Sequence, residues 1–130
     1  MHKSKVSLIL IKNNKLLMLK ERGLDKLKFP GGKPGPGEAE LETLKREVRE
    51  EIGVGVKSAK HFGKFTNAGM HPGDTINISA YFADVIGEPR PAECGIERLV
   101  WVSSKDINEG ISSPVGMDVL RELMKQNYLK

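Results

Sequence analysis

The segment between Gly31 and Gly53 constrains the fold of this 130-residue chain more than any other part of it. It begins with two consecutive glycines and the run PGPG at residues 34–37, where proline fixes φ and glycine frees it, so that these residues form a loop. Strong helix formers follow without a break up to Ile52, and Gly53 then supplies a left-handed stop. The pattern predicts a loop, a helix over residues 38–52 and an abrupt end.

The predicted helix has an apolar stripe and an acidic face about 110° apart, at 100° per residue. The stripe comprises Leu41, Leu44, Val48 and Ile52, and the acidic face comprises Glu47, Glu50 and Glu51. Carboxylates three and four residues apart repel one another by about 0.2–0.5 kcal/mol per pair, a cost that a bound cation removes. Oxygen ligands without clustered Cys or His suit a hard ion, so we expect Mg²⁺ at this face, with Mn²⁺ as the alternative.

The spacing of these residues resembles the Nudix box, which is Gly, five residues, Glu, seven residues, Arg-Glu-aliphatic, one residue, Glu-Glu, one residue, Gly-aliphatic. Every fixed position of that pattern is matched, by Gly32, Glu38, Arg46, Glu47, Val48, Glu50, Glu51, Gly53 and Val54. A solvated amphipathic helix explains the run REVREE by itself, but it does not explain the distance to the Gly/Pro loop. Outside the box, only the lead-in FPGGK at residues 29–33 is specific.

The resemblance implies an α/β (α+β) fold, the Nudix α/β/α sandwich with a mixed, partly antiparallel sheet, in one domain over residues 1–130. It also implies an enzyme that hydrolyses a pyrophosphate linkage in a nucleoside diphosphate derivative. By resemblance, Glu47, Glu50 and Glu51 hold the metal together with the Gly31 carbonyl. The same resemblance makes Arg46 the group that orients these carboxylates. It makes Glu38 a brace between loop and helix, although an acid stabilised by the helix dipole in the first turn explains Glu38 equally well.

Residues outside the acidic face complete the expected site. A downstream carboxylate often completes such sites as ligand or general base, and Glu93 is favoured slightly over Glu97 because it lies in a Gly/Pro-rich loop. The residues expected to act in catalysis are therefore Glu50, Glu47, Arg46 and Glu93. Arg22 and Lys33 are the candidate phosphate contacts, and Phe29 is the candidate base-stacking residue. For each of these the plain alternative is a solvated or packing role, and the same holds for His71 in the loop NAGMHPGD.

The charge distribution agrees with a phosphate-ester substrate. Residues 1–33 carry nine Lys or Arg against two acids, residues 34–54 carry three against six, and the remainder is balanced at nine each. A basic segment beside a carboxylate cluster suits a polyanion that arrives with a metal ion. Nucleic acid is not favoured as a partner, because the lysines lack interleaved aromatic residues.

Other composition features bear on location and assembly. The longest apolar run, residues 6–11, is too short to span a bilayer and no signal-peptide pattern follows it, so we expect a cytoplasmic protein without membrane partners, either monomer or homodimer. The single Cys94 has no metal-ligand spacing and is expected to be a small packing residue in a reducing compartment.

The remaining elements follow from local patterns. Residues 4–12 and 15–19 are predicted to form a hairpin around Asn13-Asn14, because Asn tolerates the left-handed conformation of a tight turn. Ser113 with Pro114 predicts the start of the last helix, and the helices are expected to flank the sheet. Further strands are predicted at 60–66, 75–84 (with Ile76, Ile78, Ala80 and Phe82 on one face) and 96–102 (with Trp101 in the core), followed by a short turn from Ser103 or Ser104 through Ile107.

The substrate is the least constrained inference. The compact length and the FPGGK lead-in are similar to MutT-type enzymes, which convert a nucleoside triphosphate into the monophosphate and pyrophosphate, in some cases from an oxidised purine. Near the last helix only Asp118, Ser112 and Ser113 offer a polar group to a base. The alternatives are hydrolysis of ADP-ribose or another nucleoside diphosphate sugar, and a nucleotide-binding domain without turnover.

Overall fold

A computed structural model describes residues 2–130, which form strands on which two α-helices pack. A 3₁₀ turn precedes the second helix. In chain order the elements are β1 (His2–Ile9), β2 (Ile11–Lys12), β3 (Lys15–Glu21), β4 (Gly31–Gly32), α1 (Glu40–Ile52), β5 (Gly55–Ala68), β6 (Thr75–Ile86), β7 (Ile96–Val102), the 3₁₀ turn (Ser104–Asp106) and α2 (Pro114–Lys125).

The strands form two sheets, of which the larger is mixed. Its order is β4-β1-β6-β5, with β1 and β6 parallel and the other pairs antiparallel. The smaller sheet is antiparallel with the order β2-β3-β7. The predicted hairpin is confirmed at its turn, where Asn13 and Asn14 have φ values of 51° and 61°. The first arm of that hairpin is not one strand, however, because the chain leaves the larger sheet after Ile9 and enters the smaller one at Ile11.

Alternating side chains of the central strands supply two separate cores. On β3, Leu16 and Met18 belong to the core that includes α2, whereas Leu17 and Leu19 belong to the core that includes α1. All four are fully buried. Both faces of the strands are covered by a helix, which is why the sequence is a continuous apolar run here rather than an alternating one. The predicted α/β/α sandwich with a mixed sheet is confirmed.

Helix α1 forms where it was predicted, but one residue of its apolar stripe is exposed. The helix ends at Gly53, whose φ is 71° and whose N–H donates to the Arg49 carbonyl (3.1 Å). Leu44, Val48 and Ile52 are fully buried, whereas Leu41 is 44% exposed. Leu41 lies at nearly the same angle as Val48 but about 10 Å nearer the N-terminal end, where the helix extends past the core.

The C-terminal half contains the predicted elements, with one longer strand. The piece predicted at 60–66 is the middle of β5, which runs on from Gly55 and changes register twice against β6. On β6, Ile76, Ile78 and Ala80 are buried and Phe82 packs against the same core. At the start of α2 the Ser113 Oγ accepts from the Gly116 N–H (3.3 Å), so the predicted cap is confirmed.

Two side chains depart from their predicted burial. Cys94 is exposed, so its expected packing role is wrong; the loop that carries it lies outside both cores. Trp101 is half-buried at the edge of the α1 core rather than inside it. Of the helices within residues 2–130, none has both the length and the apolar character needed to cross a bilayer.

We expect Leu44→Ala to lower the free energy of unfolding by about 2–5 kcal/mol, because it removes a fully buried side chain and leaves a cavity. Leu41→Ala, the same change one turn earlier on the exposed side chain, should cost less than about 1 kcal/mol. Urea denaturation of both variants measures the difference. Equal losses would show that the first turn of α1 is as well packed as the second.

Candidate active site

The candidate site lies where strand β4 approaches helix α1. It depends on the two glycines of β4, because a Cβ at either position would collide with its surroundings. A Cβ on Gly31, whose φ is 137°, would lie 2.0 Å from the Val6 carbonyl oxygen. A Cβ on Gly32 would lie 2.4 Å from the Glu47 carboxyl carbon. The first glycine allows β1 and β4 to approach, and the second makes room for the Glu47 carboxylate against the strand.

Glu51 is buried, which the sequence did not predict. Its residue surface is 2% exposed, and its Oε1 accepts from the Gly31 N–H (2.6 Å). The expectation that it shares the exposed acidic face is therefore wrong. Glu51 lies 60° from Val48 on the helical wheel, close enough to the apolar side to be covered when the last turn packs against β4. Burial raises the pKa of Glu51 to about 7, although Lys28 and the Gly31 N–H act in the opposite direction.

Lys28 supplies the cation next to the buried carboxylate. Its Nζ donates to Glu51 Oε2 (3.2 Å) and forms a second, closer ion pair with Glu21 on β3. Burial acts to lower the pKa of Lys28, but the two carboxylates outweigh burial and the pKa is raised. The Lys28 ammonium is thus shared between Glu21 and Glu51, so it neutralises the buried Glu51 carboxylate only in part.

Arg46 connects the exposed carboxylates of the helix to the preceding loop. Its Nη1 donates to Glu47 Oε1 and to Glu50 Oε1, both at 2.9 Å. Its Nε donates to Glu38 Oε2 (2.8 Å), and its Nη2 donates to the Lys33 carbonyl (3.1 Å). The predicted contacts of Arg46 are present for Glu47 and Glu50, whereas Glu51 accepts from the Gly31 N–H and from Lys28 instead.

Glu38 is held by the loop and the helix together. Its Oε1 accepts from the Gly35 N–H and from the Thr43 hydroxyl, both at 2.8 Å. The Arg46 guanidinium, followed by these two donors, lowers the pKa of Glu38 to about 2. Because α1 begins at Glu40, Glu38 precedes the helix and the alternative of an acid in the first turn is wrong. The side chain is positioned as a brace between loop and helix.

The donor set of this region suits a hard divalent ion. Glu47 lies against Gly32 and Glu51 against Gly31, so two carboxylates approach the same short strand, and Glu50 is one turn beyond Glu47 on the same helix. Within residues 2–130, no three acidic, His or Cys side chains are already drawn together in the manner of a formed metal site. Glu47 and Glu50 are paired with Arg46 instead. All available ligands are oxygens, which Mg²⁺ prefers.

A cleft of about 180 Å³ opens beside this region and includes Gly31 in its wall. The apolar residues of its lining, here called the apolar wall, are Leu24, Phe29, Met70, Ile76, Ile78 and Val115. The charged and polar residues of its lining, here called the charged wall, are Lys3, Lys5, Ser7, Glu21, Lys28, His71, Asp74, Ser112 and Ser113. The two sets are neighbours where Lys3 pairs with Ile76 and Lys5 with Ile78, so the cleft suits a molecule that carries both an apolar ring and anionic groups.

The structure separates the predicted substrate contacts into two groups. Phe29 lies in the cleft wall, as do His71 and the two serines before α2. Arg22 and Lys33 are exposed and lie outside the lining of the cleft, and Lys33 contacts Arg46 only through its carbonyl. Their predicted role as phosphate contacts stays untested.

The downstream acids lie away from the cleft wall. Glu93 and Glu97 are both exposed, and Glu97 pairs with the neighbouring Arg98. The Ala92 N–H donates to the Glu51 carbonyl (2.9 Å), so the loop that carries Glu93 is attached to the end of α1. The catalytic role predicted for Glu93 stays a prediction. Asp118 accepts from Asn67 on β5 (2.9 Å), outside the cleft.

Sequence reasoning missed the charged wall of the cleft on β1. Lys3, Lys5 and Ser7 face it, while Val6 and Leu8 face the α1 core. The signal was present as period-two alternation, since residues at i, i+2 and i+4 line one face of a strand. The apolar run at residues 6–11 obscured this alternation, and the net charge of residues 1–33 does not show which lysines share a face.

Comparison with known proteins agrees with this geometry. The NUDIX domain model matches residues 1–123. An 8-oxo-dGTP diphosphatase from Haemophilus influenzae is 32% identical over 103 residues, covering 78% of this chain and 73% of that protein. The crystal structure of a MutT NUDIX hydrolase from Burkholderia pseudomallei superimposes with a TM-score of 0.81 at 20% identity, over 95% of this chain and 98% of that one. A MutT protein from Bacillus halodurans gives a TM-score of 0.72 at 25% identity, over 92% and 80%.

The chain belongs to the Nudix family, whose fold it adopts and whose box it carries complete. Within that family it is a MutT-like Nudix hydrolase, an enzyme that cleaves pyrophosphate linkages.

We expect the brace at Glu38 to make stability depend on acid pH. A carboxyl with a pKa of about 2 in the folded protein and a higher value in the unfolded chain stabilises the fold above pH 4.5, and this contribution is lost as the pH falls toward 2. The free energy of unfolding of the wild type should therefore fall more steeply over this range than that of Glu38→Gln. Glu88→Gln, which removes an exposed carboxylate in a loop, is the matched control and should follow the wild type. Identical slopes for all three proteins would contradict the brace.

Proposed function

We propose that this protein is a Mg²⁺-dependent pyrophosphohydrolase that converts a nucleoside triphosphate, with an oxidised purine base as the favoured case, into the monophosphate and pyrophosphate. The observation that carries the proposal is the position of Glu47 and Glu51 against the Gly31–Gly32 strand, at the edge of a cleft that is lined by apolar residues and by charged residues of both signs. The similarity to the 8-oxo-dGTP diphosphatase from Haemophilus influenzae supports the choice of substrate.

The carboxylates and one backbone group would hold the ion. Glu47, Glu50 and Glu51 provide the charges, and the Gly31 carbonyl is the expected neutral ligand. When bound, a divalent ion neutralises phosphate charge and lowers the pKa of an attacking water. Arg46 remains attached to Glu38 through its Nε and so keeps the loop and the helix together while its other contacts change.

The remaining part of the cleft would bind the nucleoside. Phe29, Ile76 and Val115 form an apolar wall against which a base ring can pack. Ser113 and His71 lie in the same lining and would form hydrogen bonds with the edge of the base. These hydroxyl and imidazole groups would provide hydrogen bonds for an oxidised purine, which carries a C8 carbonyl and an N7–H that guanine lacks.

The location is part of the proposal. A triphosphate substrate from the nucleotide pool places the enzyme in the cytoplasm, as the sequence predicts, with a small molecule rather than a nucleic acid as its partner. Monomer and homodimer are both compatible with a site whose ligands come from one chain.

We expect Glu50→Gln to lower kcat by about 100-fold or more, because one of the charges that positions the ion is lost. The fold should be retained, since the Glu50 side chain is 43% exposed. Steady-state kinetics and thermal unfolding measure the two effects. Glu42→Gln, an exposed acid two turns earlier on the same helix, is the control and should keep its activity. Full activity in Glu50→Gln would contradict the assignment of the acidic face.

We expect the purified protein to release pyrophosphate and a monophosphate from at least one member of a panel that includes the common triphosphates, 8-oxo-dGTP and ADP-ribose. Chelation of divalent ions should abolish turnover, and Mg²⁺ should restore it. Ion-exchange chromatography of the products decides which linkage is cleaved. Release of inorganic phosphate and a diphosphate, or turnover that survives chelation, would contradict the proposal, and fastest cleavage of ADP-ribose would favour the sugar-nucleotide alternative.

A further inference from the structure

The charged wall of the cleft contains three ammonium groups, and two of them already have acidic partners. Lys3 donates to Asp74 Oδ2 (2.9 Å), and Lys28 is shared between Glu21 and Glu51. The cationic character of the wall is thus largely neutralised at these two positions.

Lys5 is different, because its ammonium makes no hydrogen bond or ion pair within residues 2–130. The protein atoms that displace water around it lower the pKa of Lys5, and the charge of Lys28 lowers it further. The charges of Glu21 and Glu51 act in the opposite direction, so the pKa of Lys5 is lowered although these two carboxylates favour its charged form. Lys5 is an exposed residue, so an anion from the substrate can reach its ammonium and form a charge-assisted hydrogen bond there.

The register of β1 locates Lys5 relative to β4 and to the apolar wall of the cleft. Ser7 is opposite Gly31 of β4, and Lys5 is two residues before Ser7 on the same face of the strand. The Cα atoms of Lys5 and Ser7 are thus separated by about 7 Å. On the other side, Lys5 is paired with Ile78 of β6, which belongs to the apolar wall. Lys5 stands between the carboxylate region and the part of the cleft that suits a base.

We propose that Lys5 binds the sugar-proximal phosphate of the nucleotide, the phosphate that stays on the nucleoside after hydrolysis. This inference rests on the proposed function, and it adds the part of the substrate that one cleft residue contacts. The phosphates that leave as pyrophosphate lie farther from the apolar wall than the phosphate attached to the sugar. An ammonium group next to that wall is therefore closer to the sugar-proximal phosphate than to the two phosphates that leave.

The experiment compares a nucleoside with its own 5′-monophosphate, so that the two ligands differ only by the phosphate in question. Binding of deoxyguanosine, 8-oxo-deoxyguanosine, dGMP and 8-oxo-dGMP is measured by calorimetry with Mg²⁺ present, and the tighter-binding base is used for the variants. Lys5→Met keeps the length of the side chain and removes its charge. Lys5→Arg keeps the charge. Lys57→Met changes an exposed lysine on β5 and is the matched control.

We expect Lys5→Met to weaken the binding of the monophosphate by about tenfold or more, which is the size of one lost charge-assisted hydrogen bond, and to leave the nucleoside unchanged. Lys5→Arg should recover most of the loss, and Lys57→Met should bind both ligands as the wild type does. Equal weakening of both ligands would show that Lys5 contacts the base instead. Unchanged binding, or no binding of any monophosphate to the wild type at millimolar concentration, would overturn the inference. Because binding is measured without turnover, a protein that binds the monophosphate through Lys5 but hydrolyses no triphosphate would refute the proposed function alone.

Discussion

The hydrogen bond between the Gly31 N–H and the Glu51 carboxylate is the contact on which the site depends. It places a buried charge at the junction of α1 and β4, where only 2% of the residue meets solvent. Burying a carboxylate is costly unless donors surround it, and here a backbone N–H and the Lys28 ammonium serve that purpose. The contact also fixes the last turn of the helix relative to the strand. Glu47, one turn earlier, is then held over Gly32 by the same geometry.

The two glycines and the sandwich fold together determine this geometry. β4 has only two residues, and a side chain on either of them would collide with a backbone carbonyl or with Glu47. On the opposite side, α1 is fixed by Leu44, Val48 and Ile52, which are fully buried against the sheet. A rigid helix and a strand without side chains can approach until carboxylate and backbone meet, which a loop could not achieve with the same precision.

The sequence was sufficient for the fold and for most of the helix, because these follow from local rules. The Gly/Pro loop, the stop at Gly53 and the cap at Ser113 each depend on the conformational preferences of a few adjacent residues. The burial of Glu51 and the exposure of Leu41 could not be found in this way. Whether the flank of a helix is covered depends on what packs there, and the length of the sheet beneath it is set by residues far away in the chain.

The lining of the cleft is a second feature that local sequence rules could not predict. The side chains of its charged wall come from β1, from the end of β3, from the loop before β4, from the turn that contains Asp74 and from the residues before α2. They are brought together by long-range pairings such as that of β1 with β6 and that of Leu27 with Ser112. A pooled count of lysines in residues 1–33 predicts an anionic ligand but does not distinguish one lysine from another. Ion pairing distinguishes them, since Lys3 and Lys28 each form an ion pair with an acid and Lys5 forms none within residues 2–130.

Arg46 explains how the site can be both stable and available to an ion. Its contacts with Glu47 and Glu50 are partly exposed, and exposed ion pairs of this kind contribute about 0–1 kcal/mol each. Its contact with Glu38 uses different nitrogen atoms, and Glu38 is held in addition by Gly35 and Thr43. In the proposed metal site, Glu47 and Glu50 would exchange Arg46 for a divalent cation at small cost while the loop stays attached to the helix. The contacts of Arg46 with Glu38 hold the loop against the helix, and its contacts with Glu47 and Glu50 are the ones that the proposed ion would replace.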